Sequence, residues 1–325
     1  MTEELEPTKP KQGLRIPKWV DKVFVVAGLA LLVYVLSRYP IGDIRTAVST
    51  MWPGVLVTPL IALAWFCCGS TPLYLLLDRR VAWRRVLWIR LVGDSYNALL
   101  PLAGFGGEPF KIRQLTMSVD PGFVMTTLIR DRIVDNAIGF LVSAASVAIG
   151  LTAYTLDGRL TAGLIGYAIV CGVLGILALA LGVTRLPGRV GGWMAKVVSA
   201  GPPEQIERLS ASRLLFASLW CLGARALGLL EGAVLLRLLD LPHDFATILF
   251  VDGVLNAAGY IGFMIPAGLG VFEGATVYVL AVIGATGPLA IAFALARRGR
   301  MLVVSLFGIS LHLGAMVRRT VAPRG

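Results

Sequence analysis

Long apolar runs separated by short basic stretches set the pattern of this chain. A helix needs about 20 mainly apolar residues to cross a bilayer. Val20 to Ser37 meets that length if Asp21 and Lys22 sit at the interface, and Trp52 to Leu77 carries no charge at all. Ile133 to Leu156 is apolar apart from Asp135, and its helix is expected to begin near Pro121. Leu160 to Thr184 is charge-free, whereas Leu214 to Leu239 contains Arg225, Glu231 and Arg237. Gly287 to Val317 is apolar at both ends and interrupted by "ARRGR", which leaves open whether 297–300 lie in a loop or at membrane depth.

Two segments depart from this pattern. "PLAGFGGEPF" (Pro101–Phe110) and "IPAGLGVFEG" (Ile265–Gly274) each place a glutamate seven positions after a proline, with glycines between. Irregular backbone at membrane depth must be buried in protein or face water, and glycines permit the sharp reversal it needs. Glu108 and Pro109 read as a helix start, because proline is favoured in the first turn. A helix start inside a membrane offers unpaired N–H groups and a positive dipole end to an anion, with Lys111 and Arg113 adding full charges.

Loop charge predicts orientation. Lys9, Lys11, Arg15, Lys18 and Lys22 place the N-terminal tail in the cytoplasm by the positive-inside rule. "RRVAWRR", the segment with Arg185, Arg189, Lys196, Arg208 and Arg213, and the C-terminal Arg318, Arg319 and Arg324 then share that side. This holds if about 86–114 and about 245–284 enter from opposite faces, which is the signature of an inverted-topology repeat. The simpler alternative is that both glycine runs are tight turns between ordinary spans.

The 325 residues are 57% hydrophobic and only 15% charged, with mean hydropathy +0.79. Soluble domains carry nearer a quarter charged residues. The net charge of +11 gathers at the ends of apolar runs, where it meets anionic headgroups rather than nucleic acid. The expected fold is therefore an all-α polytopic membrane protein, a helical bundle with two re-entrant or broken-helix elements in an inverted-repeat arrangement. A polar tail (1–19), one transmembrane domain (20–319) with a cytoplasmic loop at 185–212, and a short tail (320–325) complete it. Cys67, Cys68, Cys171 and Cys221 lie in apolar runs as packing residues, and neither His243 nor His312 has a nearby ligand partner. No metal or other cofactor is expected.

Ionisable residues at membrane depth are costly and usually functional. Arg90, Asp94 and Asn97 share one helical face, as do Asp252 and Asn256. In "IRDRIVDN", Arg132 is spaced to reach Asp135 and Asn136, although Arg130 and Arg132 also suit the cytoplasmic headgroup level. Glu231 lies mid-helix, six residues from Arg225, which is a poor spacing for a pair.

"NALLPLAGFGGEPFKIRQL", "IRDRIVD" and "IPAGLGVFEGATVYVL", in that order, resemble the lysylphosphatidylglycerol synthase transmembrane, or flippase-like, domain. The resemblance runs from about Lys18 to Arg319. It implies a bundle that exposes lipids on the outer leaflet, in pathways of phospholipid, glycolipid, hopanoid or polyprenyl-lipid. By position it carries over Asn97, Pro101, Gly107, Glu108 and Lys111, then Arg132 and Asp135, then Pro266, Gly270 and Glu273, and finally Arg300. Only "VAPRG" follows Thr320, where the bifunctional synthases continue into an aminoacyl-transfer domain, so synthesis of the lysyl-lipid is not expected.

The expected function is movement of a lipid with a polar or anionic headgroup between leaflets of a bacterial inner membrane, both termini being cytoplasmic. Arg113 and Asn256 join the carried-over polar residues as headgroup contacts. Gly104, Gly106 and Gly268 join the prolines and Gly107 and Gly270 as hinges, and Glu108, Glu231 and Glu273 are candidates for proton coupling. A non-transporting partner of a lipid-synthesis complex and an intramembrane transferase are the alternatives. Self-association and a lipid-biosynthesis enzyme partner stay open.

Overall fold

The computed structural model describes residues 41–99, 106–182, 184, 186–197, 209–261 and 270–321. The first expected span, both terminal tails up to residue 40 and from 322, and the hinge residues Pro101, Gly104, Pro266 and Gly268 lie outside them. Eleven helices follow one another along the described residues. They are α1 (Ile41–Thr50), α2 (Trp52–Leu76), α3 (Trp83–Leu99), α4 (Glu108–Thr116), α5 (Pro121–Ala153) and α6 (Gly158–Gly182). After them come α7 (Leu186–Val197), α8 (Ala211–Leu238), α9 (Phe245–Ile261), α10 (Val271–Val282) and α11 (Gly287–Val321).

Five of these, α2, α5, α6, α8 and α11, are long and apolar enough to cross a membrane, and their bounds fall within a few residues of the apolar runs, save that α5 and α11 run on past theirs into flanking polar residues. Their starts follow local chemistry. Asp120 caps α5 by accepting from the Phe123 amide at 2.9 Å, with Pro121 in the first turn. Asp244 accepts from the Ala246 and Thr247 amides ahead of α9, both at 3.1 Å. The Thr247 hydroxyl, and then these amides, hold the Asp244 carboxyl below the usual carboxylate range.

The question left open at 297–300 is answered: the final arginines do not mark a loop, and α11 runs unbroken through Arg297, Arg298 and Arg300. The 185–212 stretch is not all loop, because Leu186–Val197 forms α7 and packs on α5. Leu186, Val190 and Trp193 recur at helical spacing and are exposed together, giving α7 one apolar face.

The helix series α2–α5 recurs as α8–α11, in lengths of 25, 17, 9 and 33 residues against 28, 17, 12 and 35. The turns after α2 and α8 match in detail. Asp78 and Asp240 both have left-handed backbone, φ 52° and 53°. The Asp78 and Asp240 amides reach back to Leu75 and Arg237, and those of Arg79 and Leu241 to Tyr74 and Leu236, at 3.0–3.2 Å. Each series also has its own core. Leu73, Leu77, Ile89, Leu115 and Val124 pack in the first, and Leu235, Phe250, Val279, Leu280 and Phe293 in the second.

The two series are packed head to tail and interlocked. Gly54 at the start of α2 lies against Leu235 and Leu238 at the end of α8, while Arg213 at the start of α8 pairs with Asp78 just beyond α2. α2 and α8 therefore run antiparallel. α11 packs on α3, with Gly308 against Ser95 and Leu91, and α5 packs on α9, with Gly150 against Phe250 and Gly253 against Val147.

Gly107 and Gly270 are the N-caps of the short helices α4 and α10, and each is required for a different reason. At Gly107 the backbone is ordinary (φ −96°), but a Cβ would overlap the Gly93 carbonyl on α3. At Gly270 the backbone is left-handed (φ 79°), a region that side chains resist.

Gly107→Ala is therefore expected to move α4 off α3 and lower the melting temperature markedly in detergent. Gly274→Ala provides the contrast: its Cβ meets nothing within 4 Å, and alanine favours a helix interior over glycine by about 1 kcal/mol. It should leave thermal stability unchanged or slightly raised.

Candidate functional site

In the first series the charges neutralise one another. Arg90 on α3 lies 3.2 Å from Asp131 on α5 and 3.7 Å from Asp94 one turn along its own helix. Lys111 on α4 extends back to Asp94 at 2.6 Å and contacts Glu108 at 3.1 Å. Glu108 in turn pairs with Arg132 on α5. Asn97 completes the join, its Oδ1 accepting from the Gly107 amide at 2.6 Å. Arg90, Lys111 and Asp131 are all buried. Taking such ions out of water costs several kcal/mol each, and only close, multiple pairing offsets it.

The second series has a similar joint. Glu273 in the first turn of α10 accepts from the Gly270 amide at 2.7 Å with one oxygen, and from Arg298 Nε on α11 at 2.7 Å with the other. The two glutamates of the matched glycine runs thus do the same job. Each ties the start of a short helix to an arginine on the long helix that follows.

Between the two series lies a cavity of about 470 Å³, a size that suits a small polar ligand. Arg90, Asp94 and Asn97 line it from α3, and Arg132 and Asp135 from α5. Arg225 and Glu231 face it from α8, Asp252 and Asn256 from α9, and Arg297 and Arg300 from α11. Its apolar wall is Trp65, Phe66 and their neighbours at the middle of α2. Arg225 pairs with Asp135 at 3.3 Å, Arg300 with Glu231 at 2.9 Å, and Asn256 donates to Asp252 at 2.7 Å.

The sequence-predicted residues divide accordingly. Asn97, Arg132, Asp135, Glu231, Asn256 and Arg300 come together on the cavity wall. Glu108, Lys111, Glu273, Gly106, Gly107 and Gly270 do not line it. Lys111 is held between two carboxylates, and Arg113 is exposed and outside the lining. At the start of α4 the Gly107 amide donates to Asn97, and Glu108 in the first turn pairs with Lys111 and Arg132.

One pairing expected within a single helix changes, and one that spacing left without a good partner is supplied. Arg132 turns to Glu108 rather than to Asp135 and Asn136, and Glu231, poorly spaced from Arg225, pairs with Arg300. In both cases a partner across a helix interface offers closer approach than one on the same helix. Arg225, Asp252 and Arg297 are wall residues that the sequence marked only as charges in apolar runs. Among the described residues no group of three His, Cys, Asp or Glu is placed to hold a metal ion.

An all-helical, multi-pass membrane protein enclosing a charged cavity is the class that this fold and site define. The chain belongs to the lysylphosphatidylglycerol synthase TM region family, whose model matches residues 19–308. No curated protein and no solved structure matches it. Family membership places the protein in lipid-related processes at the membrane, in contact with membrane lipids.

Breaking the Arg90–Asp131 pair from one side should leave the buried Arg90 with only its longer contact to Asp94. Asp131→Ala is expected to destabilise the protein by about 3–5 kcal/mol, seen as a large drop in melting temperature in detergent. Arg90→Met combined with Asp131→Leu should recover most of that loss, because neither member of the pair is then left buried without the other.

Proposed function

We propose that this protein moves a lipid with a polar or anionic headgroup between leaflets, without making or breaking a bond in it. The observation that carries this reading is the charged cavity enclosed by helices long and apolar enough to span. A headgroup crossing the bilayer must exchange its hydration shell for fixed charges and dipoles, and the acyl chains can stay in lipid meanwhile.

The antiparallel pairing of α2 with α8 supports an inverted arrangement of the two series in the membrane. α3 with α4 and α9 with α10 would then be broken elements entering from opposite faces, meeting at the cavity. Such a pair of elements supplies alternating access by rocking of one series against the other around a fixed site. In this reading the basic segments face the cytoplasm of a bacterial cell, at its inner membrane, and the apolar face of α7 lies in the headgroup layer on that side.

The test is lipid exchange in proteoliposomes, with fluorescent anionic and neutral lipids read by external quenching, with and without an imposed proton gradient. Gly228 lines the cavity from α8, and a Cβ there meets nothing within 4 Å. Gly228→Leu should therefore fill the cavity without straining the helix. Wild type is expected to exceed empty liposomes, and Gly228→Leu to fall back towards them while purifying normally. Wild-type exchange equal to empty liposomes in every condition, or exchange untouched by the leucine, would sink the proposal.

A further inference from the structure

The two sides of the cavity differ in how their cations meet carboxylates. On the α3–α5 side, Arg90 is flanked by Asp94 and Asp131, although its Nε–H, 3.7 Å from Asp94, makes no hydrogen bond, and Arg132 is bound to Glu108. On the α8–α11 side the accounts are left open. Glu231 is 1% exposed, and one carboxylate oxygen holds Arg300 while the other meets no donor. Arg300 keeps an Nε–H with no acceptor. Among the described residues Arg297 has no carboxylate within ion-pair distance, and its guanidinium instead lies over the Phe272 ring, 5.5 Å from the centroid. Arg297 and Arg300 are three residues apart on α11 and share a face, and all three side chains line the cavity.

We propose that this corner is the headgroup subsite, and that it takes a phosphate ester which also carries a hydrogen-bond donor. This rests on the reading that the cavity admits a lipid headgroup. Arg297 and the free Nε–H of Arg300 are the donors for phosphate oxygens, since guanidinium suits them geometrically. The unmatched oxygen of Glu231 is the acceptor for a hydroxyl or ammonium on the same headgroup. A buried acceptor left unpaired is penalised, so a headgroup with phosphate but no donor is disfavoured. The α3–α5 side, its cations already engaged by carboxylates, serves as the rigid wall against which this subsite is held.

The test is binding rather than transport, so that its failure is separable from failure of translocation. Short-chain phosphatidylglycerol, phosphatidylethanolamine and phosphatidylcholine would be titrated into the full chain in detergent, with affinity read from thermal stabilisation. The first two carry hydroxyl and ammonium donors respectively, and the third carries phosphate with no donor. At least one donor-bearing lipid is expected to bind roughly tenfold more tightly than phosphatidylcholine, and which one does so identifies the donor.

Glu231→Gln presents an amide N–H₂ in place of the free oxygen and should erase that preference. Arg297→Gln removes a half-buried cation that has no ion pair to break. It should weaken all three lipids roughly tenfold while keeping their order. If Gly228→Leu abolishes binding of every lipid but the preference survives Glu231→Gln, or if Arg297→Gln leaves affinities unchanged, the subsite is overturned and the cavity reading stands. If Gly228→Leu leaves binding intact, both fall. If none of the three lipids binds, the subsite is overturned.

Discussion

Burying charge in an apolar bundle is the constraint on which the rest of this structure depends. An isolated ion at membrane depth is so unfavourable that pairing with a carboxylate or cation on a neighbouring helix is strongly favoured. Here the partners join helices distant in sequence. Arg90 to Asp131 ties α3 to α5, Arg225 to Asp135 ties α8 to α5, and Arg300 to Glu231 ties α11 to α8. Apolar packing cannot supply this specificity in a membrane, because lipid tails are as apolar as the helix faces. The ion pairs therefore act as register marks for the bundle as well as a polar lining for its interior.

The same constraint accounts for the matched glycine runs. A short helix beginning inside the bundle exposes amides that need acceptors. Glu108 and Glu273 lie in those first turns, where a carboxylate also suits the helix dipole, and an arginine from the following long helix neutralises each. The glycines let the backbone come close enough for the arrangement to form, by space at Gly107 and by conformation at Gly270. The two carboxylates that stand out by position are thus joints of the scaffold.

Repetition of a helix series and asymmetry of its charges belong together. The series α2–α5 and α8–α11 share lengths, turn geometry and the glutamate–arginine joint. Yet Arg90, early in the middle of α3, has Asp252 as its counterpart on α9. Such a difference goes with cations flanked by carboxylates on one side of the cavity and, on the other, an Arg297 that lies over the Phe272 ring.

The sequence by itself determined the helical class and the positions of the five long apolar helices. These are legible because hydropathy and length are local properties, and a chain in lipid must satisfy its backbone within each helix. It also marked which charges were out of place, since Asp135, Glu231 and Arg300 stand within or between apolar runs whatever their partners. Only the tertiary structure decided which charge meets which, that Glu108 and Glu273 face their arginines rather than the cavity, and that α11 continues through its three arginines. Pairing depends on how helices far apart in the chain approach one another, and a one-dimensional pattern holds no distance between them. Helical spacing offered Arg132 to Asp135 and left Glu231 without a good partner. Packing offered Glu108 and Arg300 instead, and those closer contacts win where every unpaired ion is penalised.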